Sequence, residues 1–148
     1  MLPIKSPLGP QLVTVSEESN LTAADLLLKK SKGLPLVVLN LNKEISGFLT
    51  TRNLNEADVS KNGEKKVKTL INCVALVVPK DILLKDLCQR MINETIAGFF
   101  ISHQGQIEAV IASEELLKII HQLLIKIPET SSLDDNFFKA TVGQYLEI

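Results

Sequence analysis

The sequence has 148 residues, 45% of them hydrophobic and 22% charged, and 16 lysines and arginines against 17 acidic residues give a formal net charge of -1. This composition excludes a disordered or fibrous chain, and the balanced charge argues against a protein that tracks nucleic-acid phosphates. The length corresponds to one domain with room for a substantial core.

The cysteines and the N-terminal residues indicate the cellular compartment in which the protein works. Cys73 and Cys88 lie among apolar neighbours, and neither their number nor their spacing indicates a disulfide framework or a zinc site. The first ten residues lack the apolar segment of a signal peptide, and the longest apolar runs are far shorter than the roughly 20 residues that span a bilayer. We therefore predict a cytoplasmic protein with no membrane span.

In chain order, the first half of the sequence predicts strand, helix, strand, strand. The predicted elements are a strand at 12–15, a helix capped by Ser19 or Asn20 and stopped by Gly33, and strands at 34–39 and 45–50 around a turn. Residues 55–66 are polar and charged, which predicts a solvated linker. The helix after Thr50 is therefore expected to be short or poorly formed.

The second half predicts the same order of elements. These are a strand at 75–78, a helix capped by Asp81, strands at 98–102 and 107–112, and a final helix capped by Ser113 and ended by Pro128. Beyond it, a tail at 128–148 is too apolar for a free end, so we predict that it docks on its own domain or on a partner. Its apolar residues are Phe137, Phe138, Val142, Tyr145 and Leu146.

The two halves align as an internal repeat. Val15 aligns with Val78 and Pro35 with Gly98, and after a turn that is one residue shorter in the second copy, Ile45 aligns with Ile107. The agreement lies in hydrophobic pattern and in the positions of breakers, with little identity. Two copies of one supersecondary unit are therefore predicted.

Three stretches of the first copy carry a family resemblance: VTVS at 13–16, GLPLVV at 33–38 and GFLTTRNL at 47–54. Their order resembles a CBS domain, and the tandem arrangement resembles a CBS pair, or Bateman module, over about residues 11–127. The resemblance implies an α/β (α+β) fold in which two β-α-β-β-α repeats pack as a pseudo-two-fold pair. The predicted units are 1–62, 63–127 and the tail at 128–148.

The resemblance also implies a regulatory binding module. In many family members the two clefts between the repeats hold AMP, ADP, ATP or S-adenosylmethionine, the pairs commonly form homodimers, and they modulate an attached or partner protein. By motif position, the candidate ligand-binding residues of the first cleft are Leu34, Pro35, Thr50, Thr51, Arg52 and Asn53. Leu34 takes the place where the backbone meets the base, and Arg52 is the candidate for a phosphate.

Thr50 and Asn53 occupy the positions whose side chains face a ribose in the family, although an amide is a weaker acceptor than a carboxylate. Both residue types are also favoured at helix starts, so capping alone is an equal alternative. In the second repeat, Ser113 and Glu115 are the matching candidates, and capping is the favoured interpretation there. Glu114 and Glu115 together would repel a phosphate, so the second cleft is expected to be silent or to take a less negatively charged ligand.

Two functions follow as alternatives. One is a regulatory CBS pair that binds an adenine nucleotide-type ligand and signals to a partner; the other is a ligand-free oligomerisation or interaction module with degenerate clefts. Nothing indicates an enzyme or a metal site, because there is no glycine-rich phosphate loop and His103 and His121 are far apart in sequence.

A homodimer is expected on separate grounds. The final helix is apolar over a stripe wider than one face needs to cover a small sheet. The tail residues Phe137, Phe138 and Tyr145 would compete for the same surface. The stripe consists of Leu116, Leu117, Ile119, Ile120, Leu123, Leu124, Ile125 and Ile127.

Overall fold

The computed structural model describes residues 4–32, 34–71, 75–125 and 141–143. Gly33, Cys73, Pro128 and the tail residues Phe137, Phe138, Tyr145 and Leu146 lie outside these ranges, as does the predicted end of the last helix.

The first repeat contains β1 (Thr14–Ser16), α1 (Leu21–Lys30), β2 (Leu36–Leu39), β3 (Ile45–Leu49), α2 (Thr51–Ala57) and α3 (Val59–Asn62). A 3₁₀ turn at Val67–Thr69 follows, and the second repeat contains β4 (Ala75–Pro79), α4 (Leu84–Asn93), β5 (Gly98–His103), β6 (Gln106–Ala112) and α5 (Ser113–Ile125). The predicted order of strands and helices is confirmed, with β1 beginning at Thr14 rather than at residue 12.

The strands form two three-stranded sheets of the same topology, ordered β1-β2-β3 and β4-β5-β6. In each sheet the first pair is parallel and the second antiparallel. Val37 lies opposite Phe48 in the first sheet, and Phe100 lies opposite Val110 at the equivalent place in the second. The repeat alignment and the α+β fold of two tandem units are therefore confirmed.

Helix α1 forms because its ends and its inner face are both satisfied. Of the two predicted caps it is Asn20 whose side-chain oxygen accepts from the Ala23 N–H, at 2.8 Å. Leu21, Ala24 and Leu28 are buried at helical spacing on the face that packs on the first sheet. Lysines in the last turn complement the negative end of the helix dipole.

The prediction for 55–66 is confirmed in its exposure to solvent, since none of these residues is buried, but it was wrong in making the segment a linker. Part of the segment is helical in α2 and α3, and the backbone beyond them hydrogen-bonds to the start of α1, with the Leu21 N–H donating to the Lys65 carbonyl at 2.9 Å. Val67, just past the segment, is fully buried in the core of the first repeat. The charged side chains point outward while the backbone is packed, which the composition of the segment does not reveal. The helix after Thr50 is indeed short, because Asp58 takes a left-handed conformation (φ 52°) and ends it.

Two predicted helix caps are also corrected. Helix α4 is preceded by Leu83, which makes no side-chain cap, and Asp81 lies outside the helix start. Ser113 is the first residue of α5, and its hydroxyl donates to the Ile96 carbonyl at 2.7 Å. In both places long-range backbone contacts take over from a local cap: the chain at Leu83 bridges to Thr141, and the Ser113 N–H donates to the Ala97 carbonyl at 2.9 Å.

The described part of the tail packs on the second repeat. The Val142 N–H donates to the Ile82 carbonyl at 3.0 Å, and the Val142 side chain is fully buried with Leu84 and Leu87 of α4. Residues 141–143 therefore lie against the N-terminal end of α4.

A contact that the sequence did not predict joins the two sheets. The chain at 4–9 exchanges two backbone hydrogen bonds between Ile4 and Ile45 of β3, and then bonds to Ile107 of β6 through the Pro7 carbonyl and the Gly9 N–H. It therefore runs across one edge strand of each sheet. Between the sheets, Phe48 and Phe100 meet edge to face with ring centroids 6.1 Å apart.

Candidate functional site

A cleft of about 810 Å³ lies between the two repeats. Its first wall is built by the first repeat, from Leu12 and Val13 before β1, Leu34 and Pro35 before β2, and the start of α2. Its second wall consists of residues 108–112 of β6 together with the first turns of α5. Because each repeat supplies one wall, a ligand in this inter-repeat cleft would contact both.

Six of the eight predicted site residues line the inter-repeat cleft: Leu34, Pro35, Thr50, Thr51, Arg52 and Glu115. Leu34 lies at the mouth, with 65% of its surface exposed. Among the described residues, Asn53 and Ser113 do not belong to the lining. Sequence reasoning missed the wall that β6 contributes, since the motif of one repeat carries no information on which strand of the other repeat faces it.

The Asn53 side chain is hydrogen-bonded to Thr50 at the start of α2. Its side-chain oxygen accepts from both the Thr50 N–H and the Thr50 hydroxyl at 2.8 Å, while the Asn53 N–H donates back to the hydroxyl at 3.2 Å. This reciprocal pair is a capping box. The geometry favours the capping interpretation of this pair, and a ribose contact by Asn53 stays a prediction.

Arg52 is held by two carboxylates. Its Nε donates to Glu56 at 2.9 Å, and its Nη1 donates across the inter-repeat cleft to Glu114 of α5 at 2.7 Å. These two hydrogen bonds raise the pKa of the guanidinium above its ordinary value, with the Glu114 bond contributing most. Since the pairs are exposed, they add little stability. Their consequence is positional, because Arg52 ties α2 of the first repeat to α5 of the second.

At the equivalent positions of the second cleft, a phenyl ring of the first repeat packs against a glycine of the second. By the confirmed repeat alignment, the residues that match the cleft-lining Leu34, Pro35, Thr50 and Val110 are Ala97, Gly98, Ala112 and Phe48. The Phe48 ring, 1% exposed, lies so close to Gly98 that an added Cβ there would be 2.6 Å from Cζ of the ring. The prediction that Glu114 and Glu115 lie at the second cleft was wrong, since both line the inter-repeat cleft with Thr50. The silence of the second cleft stays a prediction.

Outside the inter-repeat cleft, the described residues form neither a metal site nor an activated thiol. No group of three or more histidine, cysteine, aspartate or glutamate side chains is placed to hold a metal within the described ranges. The half-buried Cys88 has a thiol pKa raised by burial, which makes the thiolate scarcer. In the part of the chain that the structure describes, no helix has both the length and the apolar character needed to cross a membrane.

Neither a family model nor a curated protein matches the sequence. Several solved structures do match this chain in fold. A CBS-domain containing protein from Agrobacterium tumefaciens is 17% identical, with a TM-score of 0.57 over 72% of this chain and 82% of that one. The CBS domains of a transcriptional regulator from Streptococcus pneumoniae are 14% identical, with a TM-score of 0.51 over 76% and 92%.

CBSX2, solved in complex with AMP, is 20% identical, with a TM-score of 0.51 over 80% of this chain and 94% of that one. At these identities the similarity concerns the fold. Together with the two matching sheets, it establishes the architecture: the chain has the fold of a tandem CBS-domain pair.

Proposed function

We propose that this CBS pair is a regulatory protein that binds an adenine nucleotide-type ligand in the inter-repeat cleft and passes the bound state to a partner protein. The observation that carries the proposal is the cleft itself, about 810 Å³, with one wall from each repeat. A ligand held by both walls changes the relation between the repeats, which is what a partner would sense. The AMP bound to CBSX2, a protein of the same fold, supports an adenine compound of the class AMP, ADP, ATP or S-adenosylmethionine.

The proposed arrangement uses the residues of the first wall. Leu34 and Pro35 offer an apolar edge and backbone groups to the base, and Thr50, Thr51 and Arg52 line the same wall beyond them. We propose no catalytic residue, no nucleic-acid partner and a cytoplasmic location, in line with the balanced charge.

A thermal-shift screen tests the proposal. A ligand at 100 times its dissociation constant adds about 2.7 kcal/mol of stability, which corresponds to a rise of about 5–10 °C in Tm for a domain of this size. We expect at least one of adenosine, AMP, ADP, ATP and S-adenosylmethionine to give such a rise. Melting curves that do not move with any of the five would contradict ligand sensing.

One alternative is favoured by specific observations. An interaction module without a ligand agrees with Arg52 being engaged by Glu56 and Glu114, and with the Phe48 ring packing against Gly98 of the second repeat. The same screen decides between the two, because an interaction module gives no shift with any of the compounds.

We also propose a homodimer through α5. The predicted apolar stripe is narrower than expected, since Leu116 is buried and Ile119 and Ile120 pack on the core of their own repeat, but Leu117 is 56% exposed. Residues 123–125 and 127 of the predicted stripe lie outside the described side chains.

Light scattering at micromolar concentration is expected to give about twice the 16.3 kDa of one chain. Leu117→Lys should shift the mass toward the monomer, because it places a charge in an apolar contact. Leu41→Lys, in an exposed turn, is the matched control and should leave the mass unchanged. A monomeric wild-type chain would contradict the dimer.

A further inference from the structure

The charged groups that line the inter-repeat cleft are mostly acidic. Among the described residues, three cationic side chains belong to the lining, Lys32, Arg52 and Lys118, against four carboxylates, Glu56, Glu108, Glu114 and Glu115. The carboxylates come from both walls, so an anionic ligand meets negative charge on either side.

Two of the three cations are paired within the cleft, and their pairs engage three of the four carboxylates, so the described lining keeps a net charge of -1 (3 - 4). Arg52 is bonded to Glu56 and Glu114, and the Lys118 ammonium lies 3.3 Å from a Glu115 carboxylate oxygen. Lys32 has no ion pair with any described residue of the lining, and it is exposed at the mouth. A phosphate that approached Arg52 would have to displace a carboxylate from it.

The N-terminal ends of α2 and α5, which lie at the cleft, do not offset this excess of carboxylates. At α2 the Asn53 N–H is already bonded to the Thr50 hydroxyl, at 3.2 Å. At α5 the first turn carries Glu114 and Glu115, so its positive dipole end is met by two carboxylates of the chain itself. At both helix starts, part of the capacity to bind an anion is thus taken up by the chain itself, and the field of the cleft favours a ligand end that is neutral or cationic.

We infer that the inter-repeat cleft selects its ligand by charge: it takes an adenine nucleoside whose far end is neutral or cationic, in preference to a nucleoside polyphosphate. This inference rests on the function proposed above and names the ligand class for the same cleft. Adenosine and S-adenosylmethionine, which carries a sulfonium, represent the favoured class, and ATP represents the disfavoured one.

Titration calorimetry of the full chain with adenosine, S-adenosylmethionine and magnesium-free ATP tests it at low and high salt. We expect adenosine and S-adenosylmethionine to bind at least tenfold more tightly than ATP. We also expect the affinity for ATP to rise with salt, because screening weakens repulsion between like charges. ATP binding as tightly as adenosine, or more weakly at high salt, overturns the inference. If none of the three binds, the inference is overturned, while the proposed function is decided by the thermal-shift screen, which also includes AMP and ADP.

The substitution Glu114→Gln provides a second test of the inference. It removes one carboxylate and weakens the hold on the Arg52 Nη1, so the ratio of the ATP to the adenosine dissociation constant should fall at least threefold. Glu94→Gln, exposed beyond the end of α4 and outside the cleft, is the matched control and should leave that ratio unchanged. An unchanged ratio in Glu114→Gln, with circular dichroism showing an intact fold, overturns the inference.

Discussion

Phe48→Ala is expected to lower the free energy of unfolding by about 3–5 kcal/mol, the range for truncating a fully buried aromatic side chain. Phe48 is 1% exposed in the core between the sheets, where it packs edge to face on Phe100 and against Gly98. Urea denaturation measures the loss. Phe99→Ala, equally buried but within the core of the second repeat, is the matched control for deleting a phenyl ring.

What distinguishes Phe48 from Phe99 is its coupling to Gly98. In the wild-type protein Gly98→Ala should be destabilising, because its Cβ would lie 2.6 Å from Cζ of Phe48 and 2.8 Å from the Ile111 carbonyl. In the Phe48→Ala background the first of these conflicts is absent, so the second substitution should cost less. Strict additivity of the two substitutions would show that the Phe48 ring does not pack against Gly98.

Val110→Phe is expected to reduce ligand binding in the inter-repeat cleft at least tenfold. Val110 lines this cleft and occupies the position in the second sheet that Phe48 occupies in the first. By the equivalence of the two repeats, we expect a phenyl ring there to extend toward Pro35 as Phe48 extends toward Gly98, and so to take up space in the cleft. Overpacking of this kind costs about 1–3 kcal/mol, which the fold should tolerate.

The measurement is titration with whichever adenine compound stabilises the wild-type protein most, with circular dichroism as the check on folding. Val77→Phe, which adds the same atoms at an exposed strand position outside the cleft, is the matched control and should bind normally. Undiminished binding by a folded Val110→Phe variant would show that the ligand lies elsewhere.

Much of the fold follows from local pattern. The strands of each repeat are apolar runs bounded by turns, and α1 shows its buried face at helical spacing, so their order could be predicted. The Thr50–Asn53 capping box is likewise a contact between residues three apart, and capping was one of its two interpretations. The repeat alignment held down to individual strand pairs, because register follows from which residues must face the core.

Local pattern failed where a long-range contact replaces a local one. Composition predicts a linker at residues 55–66, yet the backbone there hydrogen-bonds to the start of α1. Likewise Asp81 and Ser113 suit a cap, but backbone pairing with distant chain segments organises the starts of α4 and α5.

The order of elements and the repeat were thus inherent in the sequence, because they depend on patterns a few residues long. The residues Leu34, Pro35 and 50–52 of the first wall were predicted by motifs that resemble a CBS domain. The second wall, the Arg52–Glu114 bond and the packing of Phe48 against Gly98 came from the packing of one repeat on the other. Those contacts join residues about 50 to 100 positions apart, and no periodicity or spacing specifies which side chains meet across two packed sheets. The charge of the cleft, and with it the ligand class we infer, is therefore a property of the assembled pair.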